Sequence, residues 1–388
     1  MSDRPLLLMT GCSGLIGTAV AQRLASTYRI VGFDQKVPAP HQDIEFFHVD
    51  MASDESVSVA MAQVRRRFGT KIASTIHLAD HHDFSGEPSE LYEKVTVRGT
   101  ERLLRALRDM QVEQFVFSST MLVHAPCRPG QQINEDWPLE PKWIYPRSKL
   151  ETERVILSGH QDLPVVILRI AGVYDDRCHS VPIAHQMQRI YERRVTAQVF
   201  PGDTATGQAF VHLDDLVELM RLTVMARSRL GPETIMLVGE PETLSYDELQ
   251  RIFAWLIHEE HWETRHIPKA VAKAGAWVQD VIPGVDEPFI KPWMVDLADD
   301  HYELAITRAR KLLGWEPKRT LRETLPKMVE FLRVNPAGFY RQNRLEGAPP
   351  EPTVPMATPY VTTTSGPRPP PSGAASPSAP AAPPPTPR

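Results

Sequence analysis

The chain has 388 residues, enough for one large domain with an appendage or for two domains, with 42% hydrophobic and 23% charged residues. That composition excludes fibrous and wholly disordered classes. A net charge of -5 with scattered Lys and Arg excludes the basic face that nucleic acid requires.

Three distant cysteines, Cys12, Cys127 and Cys178, form no metal-ligand spacing, so a reducing cytosol is the expected compartment. The N-terminal run Leu6–Met9 is too short for a secretion signal. No apolar run reaches the length of a membrane span.

Short apolar runs rich in β-branched and aromatic residues predict strands at Leu6–Thr10, Arg29–Asp34, Ile44–Val49, Ser74–Leu78, Gln114–Ser118 and Val165–Ile170. Between them, three- and four-residue apolar spacing predicts helices over Leu15–Ser26, Asp54–Phe68, Leu91–Met110 and Tyr145–Ser158. The alternation is that of βαβ units, and the fold class is α/β, a doubly wound parallel sheet. Further on, Ala209–Leu213 and Thr234–Val238 read as strands returning to it, with a helix at Asp215–Ala226 between them. Helical stretches at Thr243–Trp262, Ala270–Ile282 and Thr307–Leu332 predict a smaller C-terminal lobe.

The expected organisation is a dinucleotide-binding domain over 1–174 with returning segments in 208–240, and a substrate lobe over 175–207 and 241–345. A Pro-rich tail over 346–388 holds 15 of the 36 prolines and lacks the apolar residues that would order it. Gly366–Pro371 in that tail suits an aromatic-lined groove, with a merely solubilising tail as the alternative.

After the first strand comes Thr10-Gly11-Cys12-Ser13-Gly14-Leu15-Ile16-Gly17, whose glycines let a pyrophosphate approach the backbone and a helix N-terminus. Asp34 ends the second strand, 17 residues after Gly17, where a carboxylate accepts the adenosine ribose hydroxyls and repels a 2′-phosphate, favouring NAD. Tyr145 and Lys149 stand four residues apart on one helix face. A phenol of pKa about 10 is a poor base near neutrality, and a neighbouring ammonium is expected to lower it into the working range. Ser118, Ser119 and Thr120 tip an apolar strand at the sheet edge where ligands bind, and Thr120 is placed to hydrogen-bond a reacting oxygen.

In this order these motifs, with Ile76-His77-Leu78-Ala79, Val97-Arg98-Gly99-Thr100, Leu168-Arg169 and Phe210–Asp215, resemble the extended short-chain dehydrogenases, the NAD-dependent epimerase/dehydratase family. The resemblance runs from about Pro5 to Val334. It implies NAD as cofactor, Thr120 as catalytic hydroxyl, Tyr145 as acid/base, and Lys149 as a second catalytic group that also holds the nicotinamide ribose. It further implies cofactor contacts at Gly11, Ser13, Gly14, Leu15, Ile16, Gly17, Asp34, Asp50, Met51, Leu78, Ala79 and Ser118, a small-molecule substrate, and pairing of extended relatives as homodimers.

The chain departs from that pattern at Thr96, Asp80, Gly172 and Gln208, and Met121-Leu122 replace the acidic pair of sugar-nucleotide dehydratases. Gly172 and Gln208 stand where relatives carry an Asn and an Arg that help bind a sugar nucleotide's diphosphate. The expected reaction is therefore interconversion of a secondary alcohol and a ketone. The alternatives are an epimerase that retains its cofactor and a dinucleotide-binding protein without turnover. Asp80-His81-His82-Asp83 are expected to form a solvated loop near the substrate mouth rather than a metal site. His77 and His212 are expected to satisfy core hydrogen bonds, and Asp214 and Asp215 to cap a helix. The apolar stretch Ala270–Ile290 is expected to pack the lobe, with a greasy substrate pocket as the alternative.

Overall fold

Seven apolar runs pair into one sheet: β1 (Leu6–Thr10), β2 (Arg29–Asp34), β3 (Ile44–His48), β4 (Ser74–His77), β5 (Phe115–Thr120), β6 (Val165–Ile170) and β7 (Glu233–Val238). The structure is a computed structural model that describes residues 4–39, 43–83, 86–273, 292–347 and 349. Every pairing in the sheet is parallel, in the order β7-β6-β5-β4-β1-β2-β3.

Strand side chains alternate between faces, so each strand feeds two cores. Leu7 and Met9 of β1, with Val166, Leu168 and Ile170 of β6, join α1 (Leu15–Leu24) on one face. Leu6 and Leu8, with Val165 and Ile167, join α2 (Asp54–Phe68) and α3 (Arg98–Leu107) on the other. Also covering that second face is α4 (Ile144–Gly159), through Ile156. The first face also receives α6 (Leu213–Met225). A third core belongs to the lobe and joins α5 (Val181–Tyr191), α7 (Tyr246–His258), α10 (Leu321–Val334) and α11 (Pro336–Asn343).

Strand order reverses at β1, whose neighbours β2 and β4 are reached by crossovers of opposite sense. The crevice between the ends of β1 and β4 is the place where such sheets bind ligands.

Three expectations are corrected. The predicted strand near Ala209 does not return to the main sheet: Phe210–His212 pairs with Gly172–Tyr174 in a separate two-stranded ribbon. The stretch Thr307–Leu332 is two helices, α9 (Thr307–Leu313) and α10. Gly314 closes the first at φ +64, and Thr320 opens the second by accepting the Glu323 N–H. The helix expected from Leu91 begins as a π-helical turn, Tyr92–Val97, before α3. Most of Ala270–Ile282, and the tail from residue 350, lie outside the described residues.

Candidate active site

Close approach explains the glycines of the turn after β1. A Cβ at Gly11, φ +70, would lie 2.9 Å from the Ala79 nitrogen and the Leu78 carbonyl carbon, so only glycine lets the ends of β1 and β4 meet. At Gly17 a Cβ would stand 2.1 Å from the Gly11 oxygen. Gly14 precedes α1, no side chain caps it, and the first turn, which begins with Leu15, Ile16 and Gly17, carries no acidic residue. Its backbone donors and the positive end of the helix dipole suit an anion. Cys12 is wholly buried, and burial pushes its thiol up to about 11, so it packs rather than reacts.

Asp34, at the tip of β2, accepts the Ser13 N–H and the Lys36 N–H, each at 3.0 Å, which holds the carboxylate above the turn. The Ser13 hydroxyl donates to the Lys36 carbonyl at 2.6 Å. Beyond β3, the Asp50 carboxylate accepts from Gln35 at 2.8 Å and the Ala52 N–H at 2.9 Å, while Met51 is buried against Gly99. An uncapped helix start, glycines that leave room for a ligand, and a fixed carboxylate at the second strand fit an adenine dinucleotide.

His77 is a core residue, as expected. The Thr100 hydroxyl donates to the Thr96 carbonyl at 2.6 Å, so its oxygen accepts from His77 Nε2 at 2.8 Å and leaves Nδ1 to accept from Thr10 at 2.6 Å. Burial, then the Lys149 charge, lowers its pKa to about 3, consistent with this neutral tautomer. His212 caps α6, accepting the Asp214 N–H at 3.1 Å. The expected carboxylate cap is thereby corrected: Asp215 instead accepts the Arg319 N–H at 2.9 Å, and Asp214 pairs with the Arg319 guanidinium at 3.0 Å.

Lys149 is buried on α4. Its ammonium donates to the Ser118 carbonyl at 2.7 Å and pairs with Asp80 at 2.7 Å, and it lies 5.8 Å from the Tyr145 ring centroid. Residues 80–83 form an irregular segment near Tyr145, with Asp80 and His81 half-buried and His82 and Asp83 exposed, in keeping with the solvated loop expected there. His81 donates its N–H to Thr96, Tyr92 donates its hydroxyl to the Asp83 carbonyl, and His82 packs on Tyr145 with ring centroids 4.6 Å apart. The Tyr145 phenol, by contrast, is not brought down toward neutrality. Burial, then the charge of Asp80 and then that of Tyr92, holds its pKa well above the ordinary phenol value, the opposite of the lowering expected from Lys149.

Trp143 packs on Tyr145 at 5.5 Å and on Trp293 of α8 (Pro292–Asp296) at 5.1 Å, so a chain of aromatic rings runs from the phenol to that helix. Thr120 ends β5 and accepts the Leu122 N–H at 3.3 Å, with no hydrogen bond to Tyr145 or Lys149 among the described residues.

In the two-stranded ribbon, a Cβ at Gly172 would lie 2.7 Å from two carbons of the Phe210 ring. The Gln208 amide donates to the Asp300 carbonyl at 2.8 Å. Sequence reasoning missed the buried pair one turn beyond Lys149, in which Glu153 takes Arg169 at 2.7 Å and also the Ser119 hydroxyl. The signal was there: residues 149 and 153 share the helix face that also buries Ile156. Among the described residues no His, Cys, Asp and Glu group could hold a metal, and no helix is long and apolar enough to cross a membrane.

A parallel sheet with its crevice at a glycine turn, a carboxylate ending the second strand and a Tyr/Lys helix define a dinucleotide-dependent enzyme of the short-chain dehydrogenase class. The chain belongs to the NAD dependent epimerase/dehydratase family, whose profile matches residues 7–239, and NAD is its cofactor.

Among curated relatives, the chain is 24% identical over 351 residues to UDP-glucuronate 4-epimerase of Thermodesulfobacterium geofontis, covering 84% of this chain and 96% of that one. It is 24% identical over 360 residues to a decarboxylating sterol-4-alpha-carboxylate 3-dehydrogenase of Candida albicans, covering 84% and 97%. In fold it is similar to UDP-glucose 4-epimerase of Thermus thermophilus in complex with NAD, with TM-score 0.63, 23% identity, and 84% and 99% of the two chains covered.

Proposed function

We propose that the chain is an NAD-dependent oxidoreductase that interconverts a secondary alcohol and a ketone on a substrate without a nucleotide diphosphate. The observation that carries this reading concerns residues 172 and 208, the positions at which the resemblance implies diphosphate-binding side chains. Phe210 fills the space that a side chain at residue 172 would need, and the neutral Gln208 amide is spent on the Asp300 carbonyl. A guanidinium holds phosphate through paired, charge-assisted hydrogen bonds, and neither position supplies one.

When bound, the nicotinamide supplies or takes the hydride. The chain's own residues do the rest. Gly11, Ser13, Gly14, Leu15, Ile16 and Gly17 would receive the pyrophosphate, Asp34 the adenosine ribose, and Asp50 and Met51 the adenine. Leu78, Ala79 and Ser118 would line the cofactor crevice on its other side. Tyr145 exchanges the proton with the substrate oxygen, Thr120 hydrogen-bonds that oxygen, and Lys149, its ammonium 5.8 Å from the Tyr145 ring centroid, would hold the nicotinamide ribose. The indole rings of Trp143 and Trp293, packed in sequence from Tyr145, favour an apolar body on the substrate. Three buried free thiols suit a cytoplasmic setting.

The second reading is an epimerase that returns the hydride to the opposite face. Arg189 favours it: among the described residues this guanidinium donates to the Tyr246 hydroxyl at 3.4 Å, and its buried Nε has no hydrogen-bond partner. By contrast Arg193 is committed to Glu260 and Arg194 to Glu192. Calorimetric titration with UDP and UDP-hexoses in the presence of NAD decides between the two. Each lost charged hydrogen bond costs about 1.5 to 3 kcal/mol, so the proposal expects binding in the millimolar range or weaker, on the order of 4 kcal/mol or less. Micromolar binding puts the epimerase first.

A further inference from the structure

The outer face of α7 carries an apolar ridge that the lobe core leaves uncovered. Ile252, Trp255, Leu256 and Glu259 fall at three- and four-residue spacing along it, while Leu249, Phe253 and Ile257 turn into the core. Trp255 is 51% exposed, and its indole stacks on the exposed His261 ring at 5.1 Å with the planes 24° apart. Ile252 and Leu256 flank it half-buried. At the end of the ridge Glu259 is exposed and makes no ion pair among the described residues. A flat aromatic surface beside a carboxylate suits a polyproline II segment with a cation at its start, whose rings pack on the indole while the cation meets the acid.

The chain brings such a segment to this place. Leu345 is buried in the lobe core, and the Glu346 carbonyl accepts from the Gln188 amide at 2.7 Å, so the C-terminal tail leaves the lobe beside α5. Two residues further along α5, the Ile190 carbonyl hydrogen-bonds to His258 of α7 at 2.8 Å, about one turn after Trp255. Arg333 of α10 closes the same corner by donating to the Leu256 and Ile257 carbonyls at 2.6 and 2.9 Å. The point of departure and the ridge therefore lie on adjoining elements.

We propose that the segment Arg368-Pro369-Pro370-Pro371 of this chain's own tail docks on the outer face of α7, with its prolines on Trp255 and its guanidinium at Glu259. Of the proline runs in the tail, this is the one that opens on a cation. Pro349–Pro352 contains Glu351, and Pro383–Pro385 carries no charge. At about 3.1 Å per residue, the stretch from Gly347 to Pro367 can reach roughly 60 Å. That is far beyond the length of α7, roughly 20 Å. Tethering makes the docking intramolecular, at an effective concentration on the order of millimolar, so a contact too weak to join separate molecules is populated within one. Docking also covers an indole that would otherwise stand in water.

The test uses the full chain labelled with 5-fluorotryptophan, whose 19F signals from the seven tryptophans are assigned by single Trp→Phe replacements. A spin label is placed beside the proline run through Ser372→Cys, since the three native cysteines are buried. The Trp255 signal is expected to be broadened by the label, and that of Trp315, sealed against the Asp215 carbonyl, to stay sharp. Arg368→Glu exchanges an exposed attraction for a repulsion and should lower the docked fraction about two- to fivefold. Replacing Pro369, Pro370 and Pro371 together by glycine should abolish the broadening. Both changes lie in the tail, so the lobe keeps its fold. Absence of selective broadening at Trp255, or broadening left unchanged by either tail variant, overturns the proposal. Broadening that appears only when spin-labelled chain is mixed with fluorinated, unlabelled chain places the contact between copies and also overturns it.

Discussion

Two ion pairs hang from one face of α4, one turn apart, and they are built differently. In the Glu153–Arg169 pair the side chains are 2% and 4% exposed. Arg169 also reaches His124 at 3.0 Å and the Glu135 carbonyl at 3.1 Å, while Glu153 takes the Ser119 hydroxyl. His124 donates through Nδ1 to the Trp137 carbonyl, and burial followed by Arg169 holds its pKa down to about 4, so its Nε2 stays free to accept. In the Asp80–Lys149 pair the lysine is 2% exposed but the aspartate 20%, and the ammonium faces the Tyr145 ring. A sealed pair fixes the scaffold because either partner alone would be a buried uncompensated charge. A pair left open at a crevice has a charge still available to chemistry.

The sharpest way to break that comparison is at the open end. Tyr145→Phe removes only a hydroxyl, so turnover is expected to fall about 100- to 10,000-fold with NAD affinity within severalfold. Steady-state rates and a cofactor titration check it, and unchanged turnover removes Tyr145 from the chemistry. At the sealed end Glu153→Ala is expected to cost about 3 to 5 kcal/mol of stability by stranding Arg169. Lys149→Met should cost less, because Asp80 is left partly open to water. Denaturant midpoints of the two variants rank them, and equal losses would erase the distinction.

A smaller effect is expected at the cofactor edge. Asp34→Ser removes an acceptor for the ribose hydroxyls and a charge that opposes a 2′-phosphate, an effect of about 1 to 4 kcal/mol. Titrating NAD and NADP should show the first weakened and the second relatively improved.

The smallest effect comes from a buried carboxylate of a third kind, Glu240, which has no cation partner among the described residues. It accepts from the Tyr174 hydroxyl at 2.5 Å and the Leu321 N–H at 2.8 Å, and burial lifts its pKa to about 7. Its folded pKa lies above the unfolded value of 4.5, so the stability it contributes is fully present below that value and lost as pH rises through about 7. Melting temperatures across this window should decline in the wild type and decline less in Glu240→Gln. Identical slopes would show that Glu240 does not titrate there.

What the sequence made legible was local. The parallel sheet followed from short β-branched runs alternating with amphipathic stretches, and the glycine turn could be read because its spacing lies within a few residues of β1, even though Gly11 meets Leu78 and Ala79 far along the chain. The partner of Lys149 could not be found this way. Asp80 lies 69 residues away, and within its own segment it reads as one more polar loop residue beside two histidines and Asp83. The same limit placed Phe210–His212 in the wrong sheet, since a β-branched run declares a strand without declaring its neighbour. A 3.6-residue rhythm likewise continues across Gly314, and only its left-handed φ ends the helix.

The central claim, net alcohol and ketone interconversion, is tested most directly by the absorbance of reduced nicotinamide. The purified chain would be incubated with NAD and, in parallel, with a panel of apolar secondary alcohols and a panel of UDP- and dTDP-hexoses. The account predicts NADH accumulating in step with ketone for at least one alcohol, and neither NADH nor a 4-epimer from the hexoses. A 4-epimerised sugar formed with no net NADH would contradict it.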